Sequence, residues 1–201
     1  MNALLSADGL PPGLSDPVLD SQRLFRAVLD AMAHPGTIRD LALRLEPPPP
    51  LALATAAVAL ALLDFETPLW LDGAAGIPAV AGFLRFHCGC PLTADRTAAA
   101  FAVVAAPAAM PPLAGFASGS DSYPDRSATL VIQVPSLSGG EAWGVAGPGI
   151  PGSRGFAPAG LPAGFRWWLA ANHALFPRGV DLIFTCGSAV AALPRTTRLE
   201  D

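Results

Sequence analysis

Phe176-Pro-Arg-Gly-Val-Asp-Leu-Ile-Phe-Thr-Cys-Gly187, then a short apolar return and Leu193-Pro-Arg-Thr-Thr-Arg198, is the stretch whose reading decides the fold. Val180 to Thr185 and Ser188 to Leu193 are two mostly apolar runs of strand length. Only Cys186 and Gly187 separate them, so they are expected to pair as a hairpin with glycine in the turn. Upstream, helical periodicity alternates with other short apolar runs. Helix–strand alternation early and antiparallel pairs late define an α/β chain, expected as a three-layer α/β/α arrangement around a mixed sheet.

Working outward, Ser15 and Asp16 before Pro17 read as a cap with proline at the first helical position, and Leu24, Val28, Leu29 and Met32 recur at helical spacing. That helix is expected over about 17–33, stopped by His34-Pro35-Gly36. Residues 37–45 are a candidate strand, the prolines 47–50 a stiff spacer and Leu51 to Leu63 a helix. Leu69 to Leu71 and Ala98 to Ala105 read as strands, with a helix at Gly76 to His87 between them and one or two helical turns at Pro107 to Ala114. Thr129 to Val134 is a strand whose hairpin partner is expected at Trp143 to Ala146. Gly147 to Gly160 reads as a Gly/Pro-rich loop and Pro162 to Leu175 as the last helix. The organisation is a loose arm at 1–16, punctuated by proline and glycine, followed by a single α/β domain over 17–201.

Composition bounds function. The 201 residues are 52% hydrophobic with a mean hydropathy of +0.45. The longest apolar stretch, Leu51 to Leu63, would span only about 20 Å as a helix, too short for a bilayer core of roughly 30 Å. The start of the chain lacks a basic segment and carries Asp8, so it does not read as a signal peptide, and a cytoplasmic location is expected. A net charge of −4 and a single Tyr offer no basic stripe for nucleic acid. A surface poor in charge implies apolar patches of the kind that oligomer interfaces cover. All 12 basic residues are arginine. Without lysine the side chains can form no Schiff base with pyridoxal phosphate or a carbonyl substrate, and no Gly-Lys-Ser/Thr phosphate loop exists.

Charged residues are 14% of the chain, against about 25% in an average protein. Even so, Arg178, Asp181, Arg195 and Arg198 cluster in the closing block. They are either ordinary solvated strand ends or a rim for anion binding or subunit docking. Arg85 and His87 read either as cations favouring a helix C-terminus or as part of such a rim. Ser136-Leu-Ser-Gly-Gly140 is either a turn or an anion nest of hydroxyls and backbone N–H groups. Cys88-Gly-Cys90 beside His87 lacks the further ligands of a zinc site, and Cys186 reads as a small buried residue. Gly147-Pro-Gly-Ile-Pro-Gly152 shares only its glycine content with a phosphate loop, and Asp30, Asp64, Glu66 and Asp72 fall at no spacing for acid–base catalysis. The residues alone name no reaction.

Phe25-Arg-x-x-x-x-Ala-Met-x-x-Pro-Gly36, Thr67-Pro-x-Trp70, Leu84-Arg-Phe-His87, Pro135-Ser-Leu-Ser-Gly-Gly140, Gly147-x-Gly-Ile150, Phe176-Pro-x-Gly-x-Asp-Leu-Ile183, Thr185-Cys-Gly187 and Pro194-Arg-Thr-Thr197 together, over about 17–198, resemble the H subunit of bacterial carbon–phosphorus lyase systems. The arm, residues 152–164, Cys88 and Cys90 depart from that pattern. The resemblance implies a fold like that of pyridoxal-phosphate-dependent transferases without the cofactor. It also implies a homodimeric subunit that assembles with G, I and J subunits. Such complexes make ribose 1-phosphonate 5-triphosphate from a nucleoside triphosphate and an alkylphosphonate, and the family carries no clear catalytic assignment for H. Arg85, His87, Ser138, Gly139, Gly140, Arg178, Asp181, Arg195, Thr196 and Thr197 are the candidate contacts, with a neighbouring chain as leading partner and a nucleotide or phosphonate as the alternative.

Overall fold

The computed structural model describes residues 10–200, so 1–9 of the expected arm and residue 201 lie outside the described residues. In chain order the elements are α1 (Pro17–Ala33), β1 (Arg39–Asp40), α2 (Leu53–Leu62), β2 (Leu69–Leu71), α3 (Pro78–Cys88), β3 (Phe101–Val104), β4 (Thr129–Gln133), β5 (Trp143–Ala146), β6 (Arg154–Phe156), α4 (Phe165–Ala174), β7 (Asp181–Cys186), β8 (Ala189–Leu193) and β9 (Arg198–Glu200). Short 3-10 turns stand at Arg96–Ala98, Pro107–Ala109, Leu113–Gly115 and Pro124–Arg126.

The closing block forms the hairpin its residues imply. β7 and β8 pair antiparallel from Leu182 opposite Leu193 to Cys186 opposite Ala189, and Gly187 turns the chain with φ +56°. β7 then continues into a parallel ladder with β4, β3 and β2. The result is a mixed six-stranded sheet in the order β1-β8-β7-β4-β3-β2. Its strands are covered on both faces, which is why they read as unbroken apolar runs. Val103, Val131, Ile183, Val190 and Ala192 point into a core shared with α1, α2 and α3. Ala102, Leu130, Ile132, Leu182, Phe184 and Leu193 point the other way, toward α4 and a small sheet.

α1 begins as its letters require. Asp16 accepts from the N–H groups of Val18 and Leu19, and Asp20 accepts in return from the Asp16 N–H at 3.0 Å. This reciprocal capping satisfies amides that the first turn leaves without partners. α2 is apolar all round and buried through Ala54, Ala56, Ala57, Val58 and Ala59. Its one polar side chain within that run, Thr55, is fully buried and meets Thr185 Oγ1 at 2.8 Å and Gln133 Oε1 at 2.8 Å. Gln133 also accepts from the Ala52 N–H at 2.7 Å and donates to the Pro50 carbonyl at 2.9 Å. One glutamine thus fixes the proline spacer and the start of α2 onto the ends of β4 and β7.

Three expectations are corrected. β5 is not the hairpin partner of β4, because β3 and β7 occupy both edges of β4. Instead β5 pairs with β6 and β9 in a separate three-stranded sheet. β6 lies inside the stretch expected as a loop, held there by Arg154, which donates to the Pro35 carbonyl at 3.0 Å and to Thr37 Oγ1. The strand expected over 37–45 shrinks to β1, since Ala42 takes φ +47°, a left-handed conformation that no regular strand contains. The layer opposite α1–α3 is therefore part helix and part sheet.

Replacing Gln133 by Ala should leave the Ala52 N–H without its side-chain partner and take one of two partners from the Thr55 hydroxyl. The expected cost is about 2 kcal/mol, read in thermal unfolding as a fall in Tm of roughly 4–8 °C. Arg23→Ala, at a side chain 75% exposed, should change stability by no more than about 0.5 kcal/mol.

Candidate functional site

The charged closing block is chiefly an internal clasp. Asp181, the first residue of β7, accepts from the Arg195 backbone N–H at 2.8 Å and from its Nε at 3.1 Å, and Arg195 Nη2 closes the fork on the other carboxylate oxygen. Both side chains are only 15% exposed. The remaining arm of the guanidinium, Nη1, donates to the Pro124 carbonyl. Arg195 therefore spends most of its guanidinium donors within the fold. Gly179 N–H donates to Ser118 O at 2.9 Å, and Arg178 Nε stands 3.1 Å from an Asp121 oxygen as an exposed ion pair. Together these contacts tie the polar loop 116–127 onto the start of β7. Asn172 of α4 adds a two-way bond to Val180, donating to its carbonyl at 2.9 Å and accepting from its N–H at 2.8 Å.

The other expected contacts do not converge on this place. Ser138, Gly139 and Gly140 follow the far end of β4, while Asp181 pairs with Thr129 at its near end, so the length of the strand, about 15 Å, separates them. Ser138 N–H is taken by Ser136 Oγ and Gly140 N–H by Ala157 O. Glycine is required at 140 because a Cβ there would run into the Pro158 carbonyl. The glycines at 147 and 149 likewise lie against the Thr196 and Ala33 carbonyls, which makes Gly147 to Gly152 a packed turn. Thr197 N–H closes a turn onto Pro194 O, while its hydroxyl is buried without a partner.

Arg85 and His87 end α3 on the opposite face of the sheet from α4. Arg85 is exposed. The His87 ring packs at 4.6 Å from Phe83 and donates from Nε2 to the Pro11 carbonyl at 3.0 Å, so the described part of the arm crosses this helix end. Its neighbours Cys88 and Cys90 donate to the Ala59 and Leu84 carbonyls, Cys88 at 3.7 Å. The adjacent Cys90 thiol and burial together push the Cys88 thiol far above the ordinary range.

A different place gathers free charge. Between the first half of α4 and β9 lies an open cleft of about 690 Å³, walled by Glu141, Phe165, Arg166, Trp167, His173 and Arg198 among others. β9 forms one wall because it pairs with β5, from Ala146 opposite Arg198 to Gly144 opposite Glu200. Trp167 is 74% exposed. Of these residues only Arg198 stood out in the sequence, through its place in the charged block. The seven-residue spacing of Arg166 and His173, two helical turns, was the signal that could have found the rest.

A mixed α/β sheet with a clasped closing block, and no group of three His, Cys, Asp or Glu side chains placed to hold a metal ion among the described residues, defines an α/β protein whose distinctive surface is a cleft of arginine and tryptophan. The model of the family described as bacterial phosphonate metabolism protein, PhnH, matches residues 12–200, and the chain belongs to that family. It is 44% identical over 186 residues to the alpha-D-ribose 1-methylphosphonate 5-triphosphate synthase subunit PhnH of Rhizobium meliloti (strain 1021), covering 92% of this chain and 93% of that one. It is also 39% identical over 83 residues, 40% of this chain and 42% of the relative, to the putative C-P lyase subunit protein HtxG of Stutzerimonas stutzeri.

Asp181→Ala should leave the Arg195 guanidinium largely buried without its counter-ion, at a cost of about 3 kcal/mol in chemical unfolding. Adding Arg195→Ala should cost less than the sum of the two single changes, and loop 116–127 should become the first site of limited proteolysis. A single mutant within about 0.5 kcal/mol of the parent would remove the clasp from the account of stability.

Proposed function

We propose that this chain acts as a subunit of a ribose 1-phosphonate 5-triphosphate synthase, within a carbon–phosphorus lyase complex that serves phosphonate catabolism. The 44% identity to a subunit of that synthase, over 92% of this chain, carries the reading. In this role the chain is a homodimer that docks with G, I and J subunits in the cytoplasm and has no turnover of its own. The reading is supported by large apolar side chains left in water, among them Val18, Phe25 and Leu29 along α1, Phe65, Phe86 and Phe176. On a soluble chain with so few charges, such side chains are the usual material of permanent interfaces. Arg85, exposed at the end of α3, and Arg178, in a solvent-facing ion pair, are the members of the expected rim best placed to meet a neighbour.

The further likeness to pyridoxal-phosphate-dependent transferases belongs to the same proposal, and it extends to fold only. With no lysine in the sequence, the chain has no side-chain amine to hold that cofactor as a Schiff base. The chemistry of the reaction would then reside in partner chains, with this one shaping or stabilising their site.

The test is genetic and biochemical. Deleting the gene from a host that grows on methylphosphonate as its only phosphorus source should abolish that growth, and a copy with an affinity tag should restore it and bring other complex subunits through purification. Undiminished growth after deletion, or a restored strain in which the tagged chain purifies alone, would overturn the proposal.

A further inference from the structure

The cleft beside α4 holds two of the 12 arginines and one of the 3 histidines of the chain. Arg166, Ala170 and His173 share one side of α4, being three, four and seven residues apart, and Arg198 faces them from β9. Both guanidinium groups gather at Glu200. Arg166 Nη2 stands 3.4 Å from its carbonyl oxygen and Arg198 Nη2 3.7 Å from its carboxylate. Those contacts are long, and the side chains of Arg198 and Glu200 are 56% and 37% exposed. An ion pair of that kind is weak and yields readily to a better acceptor. Arg154 and Arg195 differ sharply, since each holds several close bonds within the fold. The arginines of the cleft therefore have donors to offer.

Trp167 adds a second kind of surface. The neighbouring outward positions on α4 are alanines, at 170, 171 and 174, so nothing on the helix packs over its ring. An open indole face beside cations is a platform on which a flat or sugar ring can lie. The acid of the cleft wall, Glu141, is exposed and suited to accept from hydroxyls. His173 Nδ1 lies 3.3 Å from the Arg195 carbonyl, which holds its ring at the cleft's edge. Bare phosphate would leave the ring and the carboxylate without a role, and an uncharged sugar would leave the two arginines without one. The volume, about 690 Å³, falls in the range of roughly 300–1,000 Å³ usual for small-molecule sites.

We propose that this cleft binds a phosphorylated ribose compound, with phosphate oxygens on the forks of Arg166 and Arg198, ring hydroxyls on Glu141 and the flat face of the sugar or its base on Trp167. The choice of ribose rests on the functional reading above, while the site itself rests on the residues of the cleft.

The purified full chain is titrated calorimetrically and by tryptophan fluorescence with ATP, ribose 5-phosphate and inorganic triphosphate in parallel. ATP and ribose 5-phosphate should both bind and quench emission. Arg198→Ala should weaken both by about tenfold or more, and Trp167→Phe should remove the quench, while Arg23→Ala on α1 changes neither. Triphosphate binding as tightly as ATP with no effect of Trp167→Phe overturns the ring-stacking assignment. Equal weakening by Arg23→Ala and Arg198→Ala, or no saturable binding of any probe, overturns the site. The growth assay reports separately: no binding by the parent chain while deletion still abolishes growth removes only the cleft, and binding by the parent chain with no growth phenotype on deletion removes only the functional reading.

Discussion

The pair of Asp181 and Arg195 sits where three parts of the chain meet. It closes the open end of the β7–β8 hairpin, just beyond the last rung at Leu182 and Leu193, and through the Pro124 carbonyl it anchors loop 116–127. Removing two charges from water is unfavourable, and only a fork that meets both carboxylate oxygens, with further bonds for what remains, compensates for it. Arginine can do this within one plane; a lysine ammonium cannot reach all three acceptors. The exclusive use of arginine, whatever its genetic origin, thus suits a place where the sheet edge takes a cation out of water.

Much of this was legible in the residues. The cap at Asp16, the proline at 17 and the stop at His34-Pro35-Gly36 located α1, and two apolar runs around Cys186-Gly187 located β7 and β8, because caps and turns are local and their chemistry is written in adjacent letters. What failed was pairing. Trp143 to Ala146 was correctly expected as a strand, but its partner depends on which edges remain free, and both edges of β4 were filled by segments distant in sequence. β6 and β9 are three residues each, too short for any periodicity to register.

The same distinction governs the candidate site. Clustered charge marked Arg178, Asp181 and Arg195 as unusual, yet a sequence does not say whether a charge answers another charge in its own chain. Ser138-Gly139-Gly140 offered the letters of an anion nest, whereas the constraint at Gly140 is a close backbone approach from residue 158. The cleft escaped notice for the opposite reason: Arg166 and Trp167 look like ordinary residues of an amphipathic helix until β9, from the end of the chain, supplies the facing wall.

The alanine-built α2 has a consequence for the response to temperature. An alanine loses almost no rotamer freedom on burial, and it removes little apolar surface from water. A core filled this way is assembled with a smaller entropic penalty and a smaller hydration change per residue than one filled with leucine or phenylalanine. α2 should therefore contribute less per residue to the heat-capacity increment of unfolding than the Leu- and Phe-rich parts of the core. Its packing is correspondingly less sensitive to cooling than theirs.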